Sequence, residues 1–190
     1  MFLLVGLGNP GARYASTRHN IGFGAADRLA ASAGWKERFS GQYSAIDGVG
    51  GTSERLGLLK PLTFMNESGR SVRAACDFFR IAPQQVIVAH DELDLEFGDV
   101  RLKFGGGEAG HNGLRSISSH LGTKDYVRLR IGIGRPPSEF KGRGADFVLQ
   151  AFAPTETPRL GEILEKAAQA ALLVVQRGTE AAMNEVNRRN

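Results

Sequence analysis

Several things are scarce in this chain, and each scarcity narrows what it does. Its 190 residues include a single cysteine, Cys76. No internal disulfide is therefore available, and a reducing compartment is expected. No run of eighteen apolar residues occurs, so no membrane-spanning helix is expected. The opening MFLLVGLGNPG has no basic leader and meets its first turn too early for a secretory signal. Two catalytic signatures are also missing. Without G-x-S-x-G there is no serine elbow, and without H-E-x-x-H there is no recognisable metal pair. Cys76 falls on an apolar helical stripe, where a thiol is packing rather than nucleophile. A cytoplasmic protein that uses no metal and takes water as its nucleophile is the expectation.

What is present is ordinary globular material, 42% hydrophobic and 23% charged. The whole of residues 1–190 is expected to form one domain. Net charge is +4, but it is unevenly spread. Between residues 101 and 143, nine Lys or Arg face three acids, giving that segment +6 and leaving −2 to the rest. A basic stretch of this kind fits a polyanionic partner or simply a basic surface, and charge alone does not separate the two.

Apolar, β-branched runs at Phe2–Leu7, Leu56–Leu59, Val86–Ala89, Val100–Phe104 and Val127–Ile133 read as strands, with Tyr43–Ile46 a weaker sixth. Between them lie four helical stripes. The first carries Ile21, Ala25, Leu29 and Ala33, the second Val72 to Phe79. The third carries Leu114, Ile117 and Leu121, and the longest runs from Pro158 to Gly178. Thr179 then opens a short last helix. The alternation predicts an α/β domain, a twisted mixed sheet flanked by helices on both faces in three layers. A hairpin joining Val86–Ala89 to Val100–Phe104 is also expected.

The turn Gly6-x-Gly8-x-x-Gly11 matches the dinucleotide fingerprint literally. Pro10 removes an N–H that a pyrophosphate would need, and the next acid, Asp27, sits inside a helical stripe rather than at a strand end. A nucleotide-dependent oxidoreductase is therefore disfavoured. His19 stands at a helix start, where a neutral imidazole suits a general base. The run His90-Asp91-Glu92-Leu93-Asp94 ends a strand, and one of its carboxylates could fix the far nitrogen of His19. Spacing does not say which. The same acids with His90 and His111 also permit a metal reading, though with no regular ligand spacing. Asn9, Asn66 and Asn112 each have a structural explanation as turn or cap residues. Three amides converging on a histidine would instead supply donors for a developing oxyanion. Phe64 and Met65 offer an apolar surface for a base or side chain, or plain core.

Taken together, GLGNPG with Tyr14 and TRHN, KPLTFMNESG, VAHDELDL, GHNGLRS and RLRIGIGRP resemble the bacterial-type peptidyl-tRNA hydrolase family over nearly the whole chain. The resemblance implies hydrolysis, without cofactor, of the ester joining a peptide to the 3′ end of tRNA. It also implies a monomer with no membrane association. It assigns His19 as proton acceptor, Asp91 as the group that orients it, and Asn9 as the discriminator of N-blocked ends. Tyr14, Phe64, Met65, Asn66 and Asn112 are implied as substrate contacts, and Lys103 and Arg130 as a phosphate-gripping pair. The chain departs from the pattern at Glu108 and Ala109, an acid beside the phosphate route that could weaken RNA affinity. A non-catalytic tRNA-binding module using the same basic face is the alternative expectation.

Overall fold

The computed structural model describes residues 1–31 and 33–188. Its strands are β1 (Phe2–Gly6), β2 (Lys36–Arg38), β3 (Gly41–Asp47), β4 (Arg55–Pro61), β5 (Val86–Glu92), β6 (Val100–Phe104) and β7 (Val127–Gly132). The helices are α1 (Ile21–Ala30), α2 (Ser68–Phe79), α3 (Asn112–Leu121), α4 (Gly144–Val148), α5 (Leu160–Arg177) and α6 (Thr179–Arg188). Among the described residues no helix is long and apolar enough to cross a membrane.

The seven strands form one mixed sheet in the order β2-β3-β4-β1-β5-β7-β6. Strands β4, β1, β5 and β7 are mutually parallel, while β3 and β2 on one side and β6 on the other run antiparallel to their neighbours. Alternation along each strand divides the core in two. Leu4, Leu58, Ile87, Ala89, Leu129 and Ile131 pack with α1, α5 and α6 on one face. Leu3, Val5, Leu59, Val86 and Val88 pack with α2 and α3 on the other. Both faces are thus covered by helices, as the alternation of strand and helix patterns predicts.

The expected hairpin is not formed. Strand β5 is flanked on both edges by parallel partners, β1 and β7, and β6 pairs instead with the outer edge of β7. The physical reason is visible in composition. All seven residues of β5 are buried, which requires neighbours on both sides, whereas β6 alternates buried Val100 and Leu102 with more accessible Arg101 and Lys103. Charged alternate residues suit an edge.

From β1 the chain crosses to the sheet edge at β2, comes back inward through β3 and β4 to lie beside β1, and then crosses over to place β5 on the opposite side of β1. The carboxyl ends of β1 and β5 are therefore a topological switch point, where connections diverge and leave a crevice. Helix α1 approaches that crevice closely because Gly6 and Gly22 bring backbone against backbone. A Cβ at Gly6 would overlap the Gly22 carbonyl oxygen, and one at Gly22 the Ala89 carbonyl oxygen. The glycine-rich opening thus serves strand–helix contact, which accounts for its resemblance to a dinucleotide loop.

Candidate active site

Three histidines and a carboxylate meet at the switch point. Asp91, the sixth residue of β5, is almost wholly buried. Its Oδ1 lies 2.9 Å from His19 Nδ1 and 2.9 Å from His111 Nε2. His19 arrives in a single helical turn, Arg18–Asn20, that leads into α1 on one face of the sheet. His111 caps α3 on the other face, its Nδ1 accepting the N–H groups of Gly113 (3.2 Å) and Leu114 (3.4 Å). Two helix starts from opposite faces therefore converge on one strand end. The imidazole centroids of His19 and His111 lie 5.0 Å apart.

These contacts fix tautomers. Because His111 Nδ1 accepts backbone N–H groups, its proton resides on Nε2 and is donated to Asp91. A carboxylate at His19 Nδ1 likewise places the proton there, which leaves the Nε2 lone pair of His19 free to take a proton from another molecule. Burial alone would raise the Asp91 carboxyl. The imidazoles of His111 and His19 outweigh burial and hold it below the usual carboxylate range, so Asp91 is anionic. His90, the neighbour of Asp91, plays a different part. Its Nδ1 donates to the Asp91 carbonyl at 2.8 Å, and its buried Nε2 has no partner among the described residues. Burial first, then the adjacent His111, pushes this imidazole down to about 3. The ligand atoms of His19, Asp91 and His111 lie close enough together to surround a cation. The Nε2 proton of His111 opposes that use, since His111 offers an N–H and not a lone pair to the centre.

Asn9 enters from the end of β1 and is buried. Its Oδ1 accepts the Met65 backbone N–H at 2.8 Å, so Nδ2, with its two donors, is the end left for a ligand. Asn20 grips the backbone of Asn9 twice, accepting its N–H and donating to its carbonyl, both at 2.9 Å. A cleft of about 850 Å³ opens over these groups. His19, Asn9, Asn66, Asn112, Phe64, Met65, Lys103 and Arg130 all line it, so the expected amides and the imidazole do share one cavity. Asn66 belongs to a one-turn helix before α2, and Phe64 is 58% exposed at the rim. Asn112 is the first residue of α3 and not its cap, a place taken by His111.

Tyr14 does not line this cleft. It lies in a separate helical turn, Ala12–Tyr14, with the Arg13 guanidinium 4.9 Å from its ring. Arg130, one of the pair implied to grip phosphate, is ion-paired within the chain, its Nε 3.0 Å from Glu92 Oε2. Glu108 lies 3.3 Å from Lys124, so the charge that departs from the pattern is partnered locally. Arg128 is buried and holds the glycine loop through the carbonyls of Gly106 and Gly107. Cys76 is buried in α2, and burial together with Asp77 pushes its thiol up to about 11, in keeping with an inert core position. The second arm of the carboxylate, His111, was visible in sequence only as one of several metal-capable residues. Its one local signal is its position immediately before a helical stripe.

Comparison with known proteins bears directly on this cleft. Residues 3–190 match the family model described as peptidyl-tRNA hydrolase. A protein of that name from Sorangium cellulosum is 54% identical over 192 residues, covering 100% of this chain and 85% of its own. One from Mycobacteroides abscessus is 53% identical, covering 97% of this chain and 94% of its own. The crystal structure of peptidyl-tRNA hydrolase from Acinetobacter baumannii superposes with a TM-score of 0.86 at 40% identity, covering 98% of this chain and 94% of that one. A match spanning nearly every residue, and relatives identical at more than half of the aligned positions, place the chain in the peptidyl-tRNA hydrolase family.

Proposed function

We propose that this chain hydrolyses the ester between a peptide and the 3′ end of tRNA, with His19 as general base toward water. The single observation that carries the reading is the His19–Asp91 pair opening onto a cleft lined by Asn9. Water bound at His19 Nε2 gives up a proton as its oxygen attacks the ester carbonyl carbon. Asp91 stabilises the imidazolium that forms. Asn9 Nδ2, with Asn66 and Asn112 nearby, donates to the oxygen that becomes negative or to the adjoining peptide carbonyl. Collapse breaks the bond to the ribose 3′ oxygen, which takes the proton back from His19. The peptide leaves as a carboxylic acid.

An amide N–H donor at Asn9 also explains a preference for N-blocked ends. A blocked residue presents a carbonyl acceptor there, whereas a free amine is partly cationic, with a pKa near about 8, and brings only donors. Phe64 and Met65 supply an apolar wall, and Lys103 and Arg130 face the phosphates. The tautomer of His111 supports hydrolysis without a metal. The family resemblance is the support for a monomer, and a tRNA substrate fits work in the cytoplasm. Residues 1–190 act as one domain. A non-catalytic tRNA-binding module is not favoured, because such a module has no use for a carboxylate that orients an imidazole.

The test is incubation with N-acetyl-aminoacyl-tRNA in chelator. Release of the acetylated amino acid by the wild type, lost in His19→Ala with tRNA binding retained, is expected. Undiminished turnover by His19→Ala removes that residue from its role, and dependence on added metal overturns the metal-free mechanism.

A further inference from the structure

The two cations at the phosphate side of the cleft are not equivalent. Lys103, on the edge strand β6, is exposed and has no carboxylate partner among the described residues. Arg130, on β7, is 24% exposed and ion-paired at 3.0 Å with Glu92, itself 11% exposed. Glu92 follows Asp91 directly on β5, and its other oxygen accepts the Asp94 N–H at 3.2 Å. The carboxylate thus holds the Nε edge of the guanidinium and sets a negative charge beside any anion that approaches Arg130. Both residues line the cleft.

We propose that Glu92 determines specificity by pairing with Arg130 at its Nε edge, so that RNA phosphate meets a guanidinium whose charge is already shared. The inference rests on the reading that Lys103 and Arg130 face tRNA phosphates. A phosphate reaching Arg130 gains a guanidinium already shared with Glu92 and lies beside that like charge, so the net gain is small. The consequence concerns product rather than substrate. Deacylated tRNA carries every phosphate of the substrate, and affinity for those phosphates is uniform binding that the product keeps. A resident carboxylate lowers that shared affinity and leaves the acyl group, read by Asn9 and its neighbours, to decide what stays bound. Glu92 acts here as a positioning residue on Arg130 and takes no part in the bond cleavage.

The experiment measures binding of deacylated tRNA against salt for the wild type, Glu92→Gln, Arg130→Ala, the double variant and Lys103→Ala, with product inhibition followed in parallel. Glu92→Gln is expected to bind deacylated tRNA about fivefold more tightly, the worth of one partly screened charge. Its plot of log K against log salt should steepen by about 0.7–0.9, one additional phosphate contact. Product inhibition should strengthen with it. All three changes should vanish when Arg130→Ala is added. Equal or weaker binding by Glu92→Gln with an unaltered slope, or an effect that persists without Arg130, overturns the proposal. A normal loss of slope in Lys103→Ala alongside a silent Glu92→Gln overturns this inference alone. No change of slope in Lys103→Ala overturns the phosphate reading on which it rests.

Discussion

Asn9 Oδ1 accepts the backbone N–H of Met65 at 2.8 Å, a contact between residues 56 apart in sequence. It ties the end of β1 to the turn before α2 and decides which way the Asn9 amide faces. Asn9→Asp keeps that contact and the shape of the side chain but replaces the free Nδ2 donors with an acceptor. The expected result is a loss of kcat/KM of about a hundredfold or more toward N-blocked aminoacyl-tRNA. Preference for blocked over free aminoacyl ends should narrow at the same time. Parallel assays on acetylated and free substrates check it, and an unchanged ratio would count against an Nδ2 donor at the acyl group.

His111→Gln tests the second imidazole on Asp91. The variant loses the cap on α3, worth about 1 kcal/mol of stability. It also loses one of the two hydrogen bonds that hold the carboxylate toward His19. We expect a lower kcat at nearly constant KM, because the orientation of Asp91 matters most when the imidazolium forms. A thermal melt and steady-state kinetics separate the two effects. Loss of stability with kcat intact would leave His111 as a cap and nothing more.

His90 makes stability depend on pH. In the folded chain its imidazole takes a proton only near about 3, from an ordinary value of 6.5. Between those values the unfolded chain binds a proton that the folded chain does not. Stability should therefore fall as pH drops from 6.5 toward 3, at up to about 1.4 kcal/mol per pH unit from this residue. Denaturant unfolding at pH 7, 5.5 and 4.5 measures the slope, and His90→Asn should flatten it. The depressed Asp91 acts lower on the scale. Its contribution is complete above the ordinary carboxylate value and is lost only as pH falls below it.

Ala109 adopts a left-handed backbone, φ 47°, in the loop between β6 and α3. A side chain there costs about 1 kcal/mol relative to glycine, offset in part by the entropy that glycine adds to the unfolded chain. Ala109→Gly should be neutral to mildly stabilising, by no more than about 1 kcal/mol, with activity retained. Equilibrium unfolding decides it. Destabilisation beyond that amount would mean the Ala109 methyl makes a contact that the loop needs.

The elements that sequence shows best are those whose period reports burial. The run Val86–Ala89 and the stripe of Val72, Ala75 and Cys76 read correctly because each meets a wall of apolar neighbours. Strand β2 was invisible, since Lys36, Glu37 and Arg38 are all exposed and their pairing to β3 is a backbone matter. The partner of β6 was hidden for another reason. It is set by β7, which arrives only after α3 and takes the place beside β5. At the site, residue types marked His19, the three asparagines and a carboxylate in 91–94. The structure brings them together and selects Asp91. The roles of His111 and Glu92 depend on which way a side chain turns at a strand or helix end, and no local period encodes that.

The close approach of Gly6 to Gly22 carries one more implication. Because strand and helix touch without any intervening side chain, the helix start that delivers His19 has its height above the sheet set by the absence of a methyl group. A single added carbon at Gly22, pressed against the Ala89 oxygen and the Leu7 amide, would lift the imidazole from its carboxylate while every reactive atom remained present. The tolerance of this chemistry to change is therefore narrowest at a position that itself carries no functional group.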